Sequence, residues 1–448
     1  MRRALVSMLL MTVLAAASLA QDVKVISLDE AVSLALENNL GLDASEKGAE
    51  AAKWSYLQSI SGWLPKLYLS STYTRMDEDT VRRANIFYDS MKESAGMFGI
   101  DTSELRPSAY ENTYQTSLVA VQPITNGGAE FAGIKAGLAG KRQKRAEADL
   151  KRLELVRSVK KSYFAVLRAQ AMLDVAREAK KFADESLKLA QAKFELGQIS
   201  KVELLRWQVK SSEASSSLVE AQNAYLVAKA NLAELLGMDM DEPFEVERLP
   251  EDIAPDVIAS VRKQIAEVQV SDAHPALRQM SATVDLAKSE RLLAYSKALP
   301  KLNFTYTYSW EADDDPQLDG FETWTAVVSL EVPLFQSGYG FFGIKKSYKS
   351  VAAARSSYIE AKRMLMLQAI STKRNLEAAI KKLEVSRARL AAAREALKLA
   401  QESYKVGLTS QLELLDAQLA YQSARSNLVG AIADFLSARA DWEYVSAK

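Results

Sequence analysis

The segment LNFTYTYSW (302–310) alternates strictly. Leu302, Phe304, Tyr306, Tyr308 and Trp310 fall on one face, and Asn303, Thr305, Thr307 and Ser309 on the other. TWTAVVSLEV (323–332) puts Trp324, Ala326, Val328, Leu330 and Val332 on one face. A period of two with this aromatic content predicts strands with one apolar and one polar face. KLYLSSTYT (66–74) and TYQTSLVAV (113–121) repeat the pattern with weaker contrast. Elsewhere the period changes. From 128 to 196, and again from 338 to 406, there is no proline, and Ala, Leu, Lys, Glu and Arg dominate. These are strong helix formers. Val166, Ala169, Leu173, Ala176, Ala183, Leu187, Ala190 and Phe194 follow a 3-4 spacing that Lys180 interrupts. About 70 residues at about 1.5 Å each give a helix of about 100 Å, a length suited to a coiled coil or a duct.

The chain says these things twice. LKLAQAKFELGQISKVELLRWQ (187–208) and LKLAQESYKVGLTSQLELLDAQ (397–418) stand 210 residues apart at every matched position. The same offset relates VQPITNGG (121–128) to EVPLFQSG (331–338). Upstream the offset is 235, relating Leu64-Pro65-Lys66-Leu67 to Leu299-Pro300-Lys301-Leu302. The first copy therefore carries about 25 extra residues, which belong in a loop because loop tips tolerate insertion. That loop, Met76–Asn112, holds Arg82, Arg83, Phe87, Tyr88 and Met97, with room for a short helix before Pro107. Its counterpart, EADDDPQLDG (311–320), is short and acidic. Both are expected to be solvated loops, with a lid or surface-receptor role as the alternative.

Each copy reads helix, strand, strand, helix, helix. The first repeat spans 21–237, with strands near 66–75 and 113–122, a long helix near 127–196 and a return helix near 200–237. A linker region covers 238–274. The second repeat spans 275–448, with strands near 301–310 and 322–332, a long helix near 338–406 and a return helix near 410–446. Gly197 and Gly407 sit where a helix end wants a left-handed residue. Ser200 with Glu203, and Ser410 with Glu413, have capping-box spacing. The return helices carry matching 3-4 seams, Val202, Leu205, Val209 and onward in one, Leu412, Leu415, Leu419 and onward in the other, as in antiparallel coiled coils.

Two readings of the strands stay open. The hairpins could pack their apolar faces on the helices. Alternatively, the strands cross a membrane with that face toward lipid: Leu302, Phe304, Tyr306 and Tyr308, with Trp324, Val328 and Leu330. Four strands are too few to close a barrel, since single-chain outer-membrane barrels need at least eight. Several chains would have to share one. Three copies of four strands make twelve, above twelve helical columns. The fold class expected is mainly α with a small β part and two internal repeats.

Composition narrows the function. Residues 1–20 (MRRALVSMLLMTVLAAASLA) read as a cleaved signal peptide, with a basic head, a short apolar stretch and a small-residue exit, so the mature chain is expected to start at Gln21. Beyond it no run of about 18 apolar residues occurs. There is no cysteine, which excludes disulfides, thiolate metal sites and a cysteine nucleophile. The single histidine, His274, precedes Pro275 and suits a helix boundary. Net charge is zero, giving no reason to expect a nucleic-acid partner. No nucleophile–base pair, metal cluster or phosphate loop is visible, so no enzyme, cofactor or metal is expected.

The duplicated strand–Pro–helix junctions (Pro123, Gly127, Gly128; Pro333, Gly338), the two glycine tips followed by Ser-x-x-Glu-Leu-Leu, and LDEAVSLALENN (28–39) together resemble the TolC-like outer-membrane efflux proteins. The resemblance covers essentially the whole mature chain. It implies a homotrimer with an outer-membrane β-barrel, a long periplasmic α-helical barrel and an equatorial girdle. It further implies export of substrates received from an inner-membrane pump, of RND, ABC or MFS type, through a periplasmic adaptor. The adaptor-docking tips would be Val406-Gly407-Leu408 and, as a partial match, Leu196-Gly197-Gln198. The family's acidic constriction corresponds to Glu413 and Asp416, and its Tyr–acid tether to Tyr404 and Glu203. The arginine that often follows the tip glycine by two residues is Thr409 here. Capping accounts for Glu413 and Glu203 but not for Asp416, whose counterpart in the first copy is Arg206. The competing reading is a structural coiled-coil tether or an adhesin-like envelope protein.

Overall fold

The computed structural model describes residues 24–103, 106–240, 243–266, 270–313, 321–406 and 408–447. The expected signal peptide, Gly407 and most of the acidic loop 311–320 lie outside the described residues. In chain order the elements are β1 (Lys24–Ile26), α1 (Leu28–Asn38), α2 (Leu40–Ser61), β2 (Lys66–Arg75), α3 (Glu78–Met97), β3 (Asn112–Asn126), α4 (Ala129–Glu195) and α5 (Lys201–Leu236). There follow β4 (Phe244–Val246), α6 (Pro255–Gln264), α7 (Pro275–Ser296), β5 (Lys301–Ala312), β6 (Phe321–Glu331), α8 (Tyr339–Lys405) and α9 (Gln411–Ser446). The fold is mainly α with a small β part.

The internal repeat is geometric as well as textual. α4 and α8 are 67 residues each and are displaced by 210 at both ends. α5 and α9 are 36 residues each with the same displacement. α2 and α7 are 22 residues each, displaced by 235. The 25-residue difference is not an irregular loop. It is mostly α3, a 20-residue helix whose N-cap Asp77 accepts from the backbone of Thr80. Asn85 ties the return segment to it, accepting from Ser108 and Ala109 backbone N–H and donating to the Ala109 carbonyl. The helix allowed before Pro107 is thus present and longer than expected, and its only buried residue is the polar Asn85.

The chain divides into two compact units. One comprises Met1–Ala49, Lys144–Gln279 and Ile359–Lys448. In it β1 pairs in parallel with β4, and Ile26, Phe244 and Val246 are buried with Leu155, Val159, Tyr163 and Leu232. The Tyr163 hydroxyl donates to the Ile26 carbonyl (2.9 Å) and accepts from Glu247 N–H (3.3 Å), which bridges the two strands at the C-terminal end of that ladder. Burial pushes its phenol up to about 12. The region 238–274 is more than a linker: its β4 joins this core. Ile258, Val261 and Ile265 then pack on Leu376, Ile380 and Leu383 of α8 and on Phe435 and Trp442 of α9. The polar break at Lys180 is satisfied across helices. Its ammonium pairs with Asp184 of the same helix, and Ser211 of α5 donates to Asp184 (2.7 Å). Of the two return-helix seams, that of α9 is buried at Ala433 and Ala440, whereas Val202, Leu205, Val209 and Leu226 of α5 are exposed. Near the tips Val202, Leu205 and Val209 line a groove with Leu412 and Leu415 of α9, and Leu412 and Leu419 of that second seam are exposed as well, so among the described residues the expected coiled-coil pairing is open at this end of both helices.

The second unit comprises Glu50–Gln143 and Met280–Tyr358 and contains one four-stranded antiparallel sheet, ordered β2-β3-β5-β6. α7 leans on α4 so closely that a side chain at Gly127 would place its Cβ 2.4 Å from the Ser296 carbonyl oxygen. Gly127 also has φ +65°, so glycine is required there on both counts.

His274 is a buried helix-boundary residue of the first unit. Its Nδ1 accepts from Ala276 N–H (3.3 Å) at the start of α7, and its Nε2 lies 3.3 Å from the Tyr444 carbonyl. That pattern requires the neutral ring protonated on Nε2. Burial first, and Arg278 nearby, hold its pKa below the ordinary 6.5 despite the Tyr444 bond. Arg157, stacked 4.2 Å from the Tyr444 ring centre, adds positive charge on the far side. A depressed histidine means that the unfolded chain binds more protons. The contribution is complete above about pH 6.5 and is lost as pH falls below it, by at most about 1.4 kcal/mol per pH unit. Thermal unfolding at pH 7.5 and 5.5 should therefore show a drop in Tm that is smaller in His274→Asn than in the unsubstituted chain.

Candidate functional site

The sheet is built from its register. β5 pairs with β6 so that Leu302, Phe304, Tyr306 and Tyr308 stand opposite Leu330, Val328, Ala326 and Trp324. β3 pairs with β5, setting Leu118 and Ala120 opposite Tyr308 and Tyr306. β2 adds Leu67, Leu69 and Tyr73 opposite Ala120, Leu118 and Tyr114. Period-two alternation then puts all these side chains on one face. The other face carries Ser70, Thr72, Thr113, Gln115, Ser117, Asn303, Thr305, Thr307, Ser309, Thr323 and Thr325. There the hydroxyls of Ser117 and Ser309 join the two central strands at 2.8 Å.

The apolar face is not packed on helices. Trp324 and Val328 are each 66% exposed, and Leu67, Leu69 and Leu330 are similar. This removes the reading in which the hairpins fold inward. The Tyr308 hydroxyl donates to Glu322 (2.6 Å), and the Tyr306 and Trp324 rings stack at 6.3 Å, so the aromatic rows are ordered by one another. The strand-to-helix junctions are tight. Pro123 lies at a bulge in the β3–β5 ladder, followed by left-handed Gly127 and Gly128. Pro333 follows the end of β6, and left-handed Ser337 and Gly338 lead into α8. Ser337 is a non-glycine residue at φ +48°, a conformation an L-residue adopts at a cost.

The opposite ends of the long helices carry the other candidate residues. α4 closes in a Schellman turn: Gln198 N–H bonds to the Lys193 carbonyl and Gly197 N–H to that of Phe194, both at 2.9 Å, with Gly197 at φ +72°. The second tip has the matching bond from Leu408 N–H to Ser403 O at 2.9 Å. Leu196, Gln198, Val406 and Leu408 are all exposed. Ser410 and Glu413 make a full capping box, whereas Ser200 shows only the bond from Glu203 N–H (3.3 Å).

The acidic positions separate by environment. Glu413 is engaged, its carboxylate accepting from the Thr409 hydroxyl and from Ser410 N–H. Thr409, standing where the family often has arginine, thus ties Glu413 locally. Asp416, one turn further on, is exposed and makes no hydrogen bond or ion pair among the described residues. Tyr404 and Glu203 are not joined by a hydrogen bond. The Tyr404 ring instead receives the Lys193 ammonium at 4.4 Å, a contact between α8 and α4. Sequence reading missed this pair, because nothing local signals that two residues in different repeats meet.

Known proteins bear on both features. The profile of the family described as Outer membrane efflux protein matches residues 31–238 and 268–441. The alkaline protease secretion protein AprF of Pseudomonas aeruginosa is 24% identical over 331 residues, covering 71% of this chain and 63% of that relative. The outer membrane protein VceC of Vibrio cholerae superposes with a TM-score of 0.75 at 15% identity, over 94% of this chain and 96% of that one. The open state of the MtrE outer membrane channel of Neisseria gonorrhoeae superposes with a TM-score of 0.73 at 18% identity, over 94% and 88%. These structural likenesses carry the fold, and the family match carries the membership. The chain belongs to the outer membrane efflux protein family and is a protein of the outer membrane.

Proposed function

We propose that this chain is the exit duct of a tripartite efflux or type I secretion system. Three copies join their sheets into one twelve-stranded barrel, and their long helices continue it as a periplasmic channel. The channel is passive: an inner-membrane pump of RND, ABC or MFS type chooses the substrate and a periplasmic adaptor links the two. The observation that carries this reading is the uncovered apolar face of a four-stranded sheet with two open edges. Such a sheet is stable in lipid only when its edges are paired. The name of the relative AprF, a protease secretion protein, favours protein secretion over small-molecule efflux. Conductance of the purified oligomer in planar bilayers tests the reading. A stable trimer without conductance would favour a structural tether instead.

The face assignment gives a direct test. Phe304→Lys sets a charge on the lipid side and should cost about 2–4 kcal/mol near the midplane. Thr305→Lys sets the same charge on the water side and should be tolerated. The amount of heat-modifiable trimer in outer-membrane fractions reads the difference. Equal loss from both variants would sink the barrel.

The exposed tips are the surface for the adaptor. Leu408→Asp combined with Leu196→Asp should leave trimer assembly intact and abolish export in a complementation assay. Persistent export with a normal trimer would mean that the adaptor docks elsewhere.

Asp416 is the constriction residue. Three unpaired carboxylates converging at the entrance concentrate cations there. Asp416→Asn should lower cation selectivity and weaken block by a trivalent cation, without reducing trimer stability. Glu413→Gln should change selectivity less, because that carboxylate is already engaged by Thr409 and Ser410. Reversal potentials under a salt gradient measure both. Unchanged selectivity in Asp416→Asn would make Asp416 a solvated helix-face residue only.

A further inference from the structure

The chain as a whole balances 57 basic against 57 acidic residues. The turns beside the sheet do not share that balance. They comprise the ends of α2 and α7 (51–66 and 286–301) and the starts of α4 and α8 (127–143 and 337–353). Together these four segments hold 12 lysines and arginines against two acids, Glu130 and Glu290. At the ends of α2 and α7 the helix dipole favours cations, but α4 and α8 begin here, and a helix start favours acids. Helix electrostatics therefore does not account for the excess on α4 and α8.

Within this zone one motif occurs twice at the offset of 210. Phe131-Ala132-Gly133-Ile134-Lys135 lies at the start of α4, and Phe341-Phe342-Gly343-Ile344-Lys345 at the start of α8. In each, the lysine sets its ammonium over the ring four residues earlier, at 4.4 Å for Lys135 and 5.5 Å for Lys345. Neither lysine has a carboxylate partner among the described residues, whereas Lys144, farther along α4, pairs with Glu147 (3.0 Å). The one acid beside the first motif, Glu130, already accepts from Asn126 N–H (2.9 Å). Phe131 is 58% exposed and Phe341 60%. A further copy beside the sheet would not bury Phe131, because α4 is flanked on both sides within its own chain. On one flank α2 comes so close that a Cβ at Gly137 would lie 2.6 Å from the Ser59 hydroxyl. On the other, Gln143 of α4 donates to Thr283 of α7 (3.0 Å). The ring and its lysine thus stand on a face that helix packing leaves free.

We infer that each Phe-x-Gly-Ile-Lys motif binds the phosphate headgroup of an anionic phospholipid from the periplasmic leaflet of the membrane. The inference rests on the barrel reading above and adds to it a lipid class and a site in each repeat. The lysine supplies the charge, and the phenylalanine an apolar foot among the first acyl carbons. A lysine stem lies along apolar surface while its ammonium reaches the polar layer. Aromatic and basic side chains just outside a hydrocarbon core fix a protein at that depth. The position fits, since Lys135 is seven residues beyond Gly128, about 10 Å along the helix from the strand junction. The excess of positive charge in the zone selects an anionic headgroup over zwitterionic phosphatidylethanolamine. A phosphate also offers the ammonium a full negative charge in place of the ring's quadrupole.

The chain contains no cysteine, so one introduced at 134, inside the first motif, carries a single fluorescent label. The full-length protein is placed in phosphatidylethanolamine bilayers, and bromine-tailed phosphatidylglycerol or bromine-tailed phosphatidylethanolamine is titrated in. Bromine quenches only a label that it touches. In Ile134→Cys, phosphatidylglycerol should occupy the site with about fivefold preference, the attraction of one lysine for an anionic lipid surface. Adding Lys135→Gln should abolish the preference, whereas adding Lys135→Arg should keep it. Adding Lys144→Gln should leave it unchanged. Salt should weaken the preference, and soluble glycerol phosphate should not displace the lipid. A label at Val328→Cys, on the apolar face of the sheet, should be quenched by both lipids alike.

Equal quenching by the two lipids at 134 overturns the inference. So does a preference that survives Lys135→Gln, or one that glycerol phosphate abolishes, which would make the motif a soluble-phosphate site. An unquenched label at 134 beside a quenched one at 328 overturns it as well. All of these results leave the barrel reading standing. A label at 328 that neither lipid quenches overturns the barrel reading and the inference with it.

Discussion

A strand edge in lipid has nowhere to send its N–H and C=O groups, and each unsatisfied group costs several kcal/mol. That constraint governs this molecule. Its sheet is open, with β2 at one edge and β6 at the other, and its apolar face is bare. The face asks for lipid and the edges forbid it, unless other strands complete the ladder. Chain association is thus the condition on which membrane insertion depends.

The helices follow the same logic with weaker forces. α4 and α8 run uninterrupted for 67 residues each, while the remaining helices of each repeat are shorter. Helices of this length need partners along most of their surface, since propensity alone gives little stability in water. Part of that surface is covered within the chain, as where Ile258 and Val261 of α6 pack on Leu376 and Ile380 of α8. The seam of α5 stays exposed at Val202, Leu205, Val209 and Leu226. One polar break in the helices is paired: Lys180, Asp184 and Ser211 bond to one another across α4 and α5. Gln170 and Gln418, by contrast, keep a buried side-chain oxygen without a partner in the chain.

At the tips, electrostatics and capping compete for the same residues. A carboxylate three residues into a helix is favoured by the helix end and by the cap. Glu413 answers to that local chemistry through Ser410 and Thr409. Asp416 is one turn further on, beyond reach of the cap, and keeps its charge open to solvent. Two acidic residues on one helix face therefore have different surroundings, with position relative to the helix end as the cause. Tyr404 meets a different neighbour from the one expected: the Lys193 ammonium lies over its ring.

By itself the sequence determined what repeats locally. Period two in 302–310 and 323–332, proline-free helical runs, the Gly–Ser–Glu caps and the twofold repetition are all readable, because each rests on neighbours within a few residues. The apolar rows of the strands and the mainly helical fold class follow from them. It allowed a short helix before Pro107 but not the twenty residues of α3, whose fixing contact is one buried asparagine. It took 238–274 for a linker, although β4 and α6 there help build the cores. Only the tertiary structure decided the strand order β2-β3-β5-β6, the bulge at Pro123, the meeting of Lys193 with Tyr404 and the bare seam of α5. The reason is physical: an alternating pattern fixes which face a side chain takes but is indifferent to which strand lies beside it. That choice is made by backbone hydrogen bonds between residues nearly two hundred positions apart.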